Sequence, residues 1–261
     1  MKVLKKIDFY IIKKFLGTYF FAIALILAIT VMFDINEKLD SFLKAPLSAT
    51  IFDYFFNFLP YFANLFSPLF TFIAVIFFTS KLADNSEIIA MLSSGISFKR
   101  LFVPYMISAA IIASLNLYLS CYIIPPANVT RIEYTNTYVK NKRVDYASNI
   151  QLQVSPGVIA YIARQKERGV ANIKNFEIEY ERRFAMAAAA FILTAIGMSL
   201  SSRKVKGGMG INIGIGLLLS FSYILFSTVT STFAVSGATS PLLAMWIPNI
   251  IYTVIAVVLY K

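Results

Sequence analysis

The chain has 261 residues, 58% of them hydrophobic and only 14% charged, against ~45–50% apolar and ~25% charged in an average soluble domain. A water-soluble globule of this size has no place for that surplus, so a soluble enzyme is excluded and a polytopic membrane protein is implied. The single cysteine, Cys121, excludes an internal disulfide and a multi-cysteine zinc site, and the absence of His removes His-based catalysis, His-ligated metals and His pH switches. The formal charge of +11 fits cytoplasmic-loop bias and anionic lipid contact better than nucleic acid.

In chain order, the first transmembrane span is 15–33 (FLGTYFFAIALILAITVMF), preceded by Lys2, Lys5, Lys6, Lys13 and Lys14. Its apolar run is too long for a signal peptide and no small-residue cleavage site follows, so it reads as a retained helix. The second span is 54–80, with Pro60 and Pro68 inside, tolerable where neighbours satisfy the freed carbonyls. The third, 101–124, is expected to stop at Pro125-Pro126. The fourth is 184–200, the fifth 211–233 and the sixth 242–260. An even number of spans puts both termini on one side. Basic residues at the amino terminus, at Lys81, Lys99 and Arg100, and at Arg203, Lys204 and Lys206 make that side cytoplasmic. The basic segment 127–183 then lies outside, and long loops are read only weakly by the positive-inside rule.

That outer segment is composite. Residues 128–145 continue as a polar helix. Ile150, Leu152 and Val154 alternate with polar residues up to Pro156-Gly157, and an apolar run follows, which reads as a β-hairpin over 149–163. Two strands alone are marginal in water. The composition changes abruptly near 164/165, as at a break, and a charged helical approach leads into the fourth span.

The loop SKLADNSEIIAMLSSGISFKR (80–100) is the most informative stretch. Asp84 and Glu87 resemble a capping box, and Gly95 suits a helix end, giving a short helix over about 84–95. That helix is expected to expose Ile88, Met91 and Leu92, with Ile89 beside them. It either docks a cytoplasmic partner such as an ATPase or lies on lipid headgroups. No G-x-x-x-x-G-K-[ST] motif occurs, so ATP-driven work belongs to another chain. Gly210, Gly214 and Gly216 open the fifth span with a G-x-x-x-G pattern. It allows close helix packing within the chain or a seam with a second subunit. The spans as drawn hold essentially no ionisable residue, which disfavours an ion-coupled carrier. Lys38, Lys44 and Arg131 fall near outer span ends and are candidates for a lipid headgroup's phosphates or carboxylates, against ordinary solvated charge. No nucleophile–base pair is present, so no catalytic residue is assigned.

The order of these parts resembles the LptF/LptG permease family of the lipopolysaccharide export ABC transporter, and most closely its Bacteroidetes-type members. The residues that carry the resemblance are SEIIAMLSSGIS (86–97), Pro125-Pro126, QLQVSPGVIAYI (151–162), RGVANIKNFEIEYERRFA (168–185) and SSRKVKGG (201–208). The resemblance implies an all-α polytopic inner-membrane permease with six transmembrane helices. It implies a heterodimer with a paired permease, a homodimeric LptB-type ATPase that holds the ATP and Mg, an LptC-type single-span protein, and lipopolysaccharide as cargo, with no cofactor on this chain. It makes 86–97 the coupling helix, with Glu87 at the family's acidic position. It also makes the first and fifth spans lateral gates, so that Gly210 and Gly214 lie at a seam.

One departure stands out. The family carries a periplasmic β-jellyroll between the third and fourth spans, and most of it is missing here: one hairpin alone is recognisable in 127–183. Both flanks match the family closely, which favours residues absent from this sequence over a true deletion. Three regions result: 1–126 with three spans and the coupling helix, 127–183 outside the membrane, and 184–261 with three more spans. The rival readings are a non-transporting membrane scaffold and, less favoured, an ion-coupled carrier.

Overall fold

The computed structural model describes residues 6–139, 173–202 and 208–260. They form seven helices in chain order: α1 (Lys6–Phe42), α2 (Leu47–Asp84), α3 (Glu87–Ser93), α4 (Phe98–Val139), α5 (Ile173–Ser201), α6 (Gly208–Ser236) and α7 (Pro241–Tyr260). All but α3 are long and apolar enough to cross a membrane. Among the described residues there is no strand, and each expected span lies within one of these six helices. The expected hairpin (149–163), the break near 164/165 and the basic loop 203–206 fall outside the described residues.

The helices overrun the expected spans. At 1.5 Å per residue, the 37 residues of α1 extend about 55 Å, well beyond the roughly 30 Å hydrocarbon core. Polar residues therefore stand on the same helices as the spans: Asp8, Asp34 and Lys38 on α1, Lys81 on α2, Arg183 on α5. Pro60 and Pro68 sit inside α2 without breaking it. The expected stop at Pro125-Pro126 does not occur. A π-helical stretch (Leu119–Ile123) precedes it, and the two prolines take the first turn of the next α-helical stretch (Ile124–Tyr134). There their missing N–H groups cost little.

Helices α2 and α5 form the centre. The first packs against α1, α4, α5 and α6, the second against α2, α4, α6 and α7. Their approach is close at Gly197, where an added Cβ would lie 2.8 Å from Val75 Cγ1 and 3.2 Å from the Phe72 ring. Several buried polar side chains are paired across helices, as suits an apolar solvent. Tyr19 Oη and Ser67 Oγ are 2.6 Å apart, Asn116 donates to Ser67 at 2.7 Å, Thr79 to Tyr105 at 3.1 Å, and Tyr223 to Asn249 at 3.0 Å.

By contrast α1 buries a narrow stripe of residues four apart: Ile11, Phe15, Tyr19 and Ile23. Both ends of the described chain lie at one end of the bundle. Asp8 pairs with Arg100 at the start of α4, and Tyr260 stacks on Phe98 and Phe102. This loop end carries α3; the far end carries Lys38, Tyr54 and Arg131.

Candidate functional site

At the loop end, α2 runs through Asp84, so Asp84 cannot cap the next helix. The reversal is made at Asn85 and Ser86, the latter in the left-handed region at φ 60°. Ser86 is the N-cap of α3, its carbonyl accepting Ala90 N–H at 2.9 Å while its side chain caps nothing. The capping box expected from Asp84 and Glu87 is therefore not formed. Glu87 instead opens the helix, where a carboxylate favours the helix dipole. It accepts from Asn85 Nδ2 at 3.2 Å and from Tyr10 Oη of α1 at 3.4 Å. At the other end Gly95, φ 87°, closes α3: Gly95 N–H reaches Leu92 O at 3.0 Å and Ile96 N–H reaches Met91 O at 3.3 Å. That is the double bond of a Schellman turn.

The apolar residues of α3 do not share one face. Ile88, expected on the exposed side, is 1% exposed and belongs to the core cluster of Ile11, Phe15, Leu82 and Leu101. Met91 is half-buried against the same cluster. Ile89 and Leu92 point outward, 55% and 39% exposed. The reason is the register set by Ser86: starting the helix two residues later than Asp84 turns Ile88 inward. Thus Ile88 anchors the helix, and the outward surface consists of Ile89, Leu92 and the edge holding Glu87.

At the far end, Lys38 is drawn inward. Its ammonium is ion-paired with Asp34 and donates to Tyr54 Oη at 2.7 Å, and Tyr54 in turn donates to Asp34 at 3.2 Å. The backbone of α1 leaves helical geometry at Lys38 (φ −115°, ψ 19°). Arg131 lies over the Tyr61 ring at 5.1 Å, and Lys38 over Tyr54 at 5.3 Å. These rings belong to one aromatic run, Tyr54, Phe58, Phe62 and Tyr61, so two of the three basic candidates flank a common surface. Lys44 stands apart, exposed in the turn after α1.

Among the described residues nothing lies within 4 Å of a Cβ added at Gly210 or Gly214, whereas at Gly216 a Cβ would collide with Ile76 of α2. Among those residues the G-x-x-x-G pair thus serves no close packing, and the third glycine does.

Three features gave no local signal in the sequence. The pairing of Asp8 with Arg100 spans 92 positions. The left-handed Ser86 replaces an expected cap. A cleft between α2, α4 and α5 brings Asn64, Ser120, Glu179, Arg182 and Arg183 together beside the apolar Leu65, Ile124 and Met186. Among the described residues no group of His, Cys, Asp or Glu could hold a metal ion.

The family model for the lipopolysaccharide export system permease LptF/LptG matches residues 9–167 and 130–261. No curated protein matches the chain. The two matched stretches cover every helix described above apart from the first residues of α1. The chain is a multi-pass membrane protein and belongs to the LptF/LptG family of lipopolysaccharide export permeases.

Proposed function

We propose that the chain is the moving, non-hydrolysing half of an ATP-driven extractor. A dimeric LptB-type ATPase, carrying ATP and Mg, grips the α3 loop from the cytoplasm. A paired LptF/LptG-type permease completes a lipid cavity, an LptC-type protein joins it, and lipopolysaccharide is drawn from the inner membrane toward the outer one. Both termini, which share the loop end, are then cytoplasmic, in line with the basic residues there. The chain itself binds no cofactor and catalyses no reaction.

The observation that carries this reading is α3. Seven residues of helix stand between two spans, fixed from within by Ile88 and held shut by Gly95, while Ile89 and Leu92 face away from the bundle. A short helix with an apolar outer edge and an acidic rim suits a groove on another protein. Met91 and Glu87 border that edge. Gly210 and Gly214, open on their own chain, suit the seam with the second permease. Arg131 and Lys44, with Lys38 behind them, suit the headgroup side.

Proteoliposomes holding the purified complex test the reading. Glu87→Ala, Met91→Asp and Leu92→Asp should leave membrane insertion intact and abolish ATPase association or ATP-driven lipid release. Unchanged release with all three would overturn the docking role of α3, and purification without any ATPase or second permease would favour a non-transporting scaffold.

A further inference from the structure

We propose that Asp8 and Arg100 form a clamp that joins the root of α1 to the coupling loop, so that displacement of the loop is delivered to α1. The two act as positioning residues, and the inference rests on the reading of α3 as the ATPase handle.

Arg100 stands on the first turn of α4, directly after the loop; its N–H donates to Ser97 Oγ, the helix cap, at 3.3 Å. Its guanidinium meets Asp8 in a two-pronged fashion, Nη1 donating to Oδ1 at 2.8 Å and Nη2 to Oδ2. A fork of this kind fixes orientation as well as separation. Asp8 is 3% exposed although the chain around it is basic. A carboxylate withdrawn from water to this extent needs its partner in place. The second link, Tyr10 Oη to Glu87 at 3.4 Å, joins the same turn of the helix to α3 itself.

The rest of α1 explains why its root matters. Asp8 begins the buried stripe Asp8, Ile11, Phe15, Tyr19, Ile23. Ile11 and Phe15 share a cluster with Ile88 of α3 and Leu101 of α4. Beyond Ile23 no residue is buried until Asp34. The helix is thus gripped firmly at its root, held only by part-buried contacts such as Leu27 and Val31 over its middle, and gripped firmly again through Asp34, Lys38 and Tyr54. A helix held firmly at two points and lightly between them acts as a lever. Rotation imposed by Arg100 and Ile88 travels along it instead of being absorbed by neighbours.

The test uses the complete complex in proteoliposomes, reading ATP hydrolysis and lipopolysaccharide release together. Asp8→Asn and Arg100→Gln should keep hydrolysis within about twofold while cutting release about tenfold, a typical coupling between sites. Exchange of the pair, Asp8→Arg with Arg100→Asp, should recover most of the release. Arg100→Lys keeps the charge without the fork: intact hydrolysis with reduced release supports the clamp, and both intact overturns it. Release unchanged in the single variants, or hydrolysis and release falling in proportion with no recovery on exchange, also overturns it. Failure of the handle reading is a separate result: Leu92→Asp would then hydrolyse ATP and release lipid as before.

Discussion

Two single residues carry more of this fold than their size suggests. Ser86 holds φ 60° at the reversal between α2 and α3, where an L-residue pays about 1–2 kcal/mol relative to right-handed geometry. Ser86→Gly should raise the thermal unfolding midpoint of the purified protein, and Ser86→Val should lower it. Gly197 lies at a close contact of α2 and α5. Gly197→Val forces atoms onto Val75 and Phe72 and should cost about 1–3 kcal/mol, as overpacking does. Lys38 permits a sharper separation of roles. Lys38→Met leaves the Asp34 carboxylate, largely withdrawn from water, without its cation, at a cost of about 1–3 kcal/mol given that Lys38 is itself part-exposed. Lys38→Met with Asp34→Leu should restore the midpoint. Lipid release that stays low in the double variant marks a role at the headgroup, and release that returns marks a strut.

At the scale of the element, what could be read from the chain depended on how local the cause was. Six long apolar runs declare themselves, because nothing but lipid rewards them, and each became a helix. Gly95 was legible as a helix end because a left-handed turn there has one common solution. The start of α3 was not. Asp84 and Glu87 have capping chemistry, but α2 gains by continuing through Asp84, and the register then moved Ile88 inward and left Ile89 outside. Neighbouring helices decide such competition, and no local pattern reports it. The same holds for Lys38: its charge looked solvated in one dimension, whereas Asp34 one turn back and Tyr54 on the next helix enclose it.

For the whole molecule the contrast in burial is informative. In their most apolar stretches, 61% of α5 and 56% of α2 are buried, but 17% of α1 and 22% of α6. The centre is a finished core; α1 and α6 lean on α2 and present most of their surface outward. In lipid that is permissible, since hydrocarbon is as apolar as Leu. It also leaves these two helices available to a partner. Gly214→Leu accordingly should not change the unfolding midpoint of the isolated chain, for nothing of its own lies there. In the complex it should displace the second permease, seen as a smaller mass in mild detergent. Gly216→Leu should destabilise the isolated chain, because Ile76 fills that space. The family relationship could be read from motifs; which glycine faces inward could not, since Gly214 and Gly216 are small residues two positions apart on one helix.

The π-helical stretches at Thr50–Phe55, Leu119–Ile123 and Thr135–Val139 have one more consequence. Each widened turn holds an extra residue, so everything beyond it is rotated by about 100° from where an unbroken α-helix would put it. The aim of Arg131 onto Tyr61 is thus a matter of phase. Removing Cys121 alone, a deletion that alters no charge, takes out that extra residue and should leave Arg131 over the ring, whereas one alanine added beside it should swing Arg131 off. Length, as much as chemistry, is what points that cation at its target.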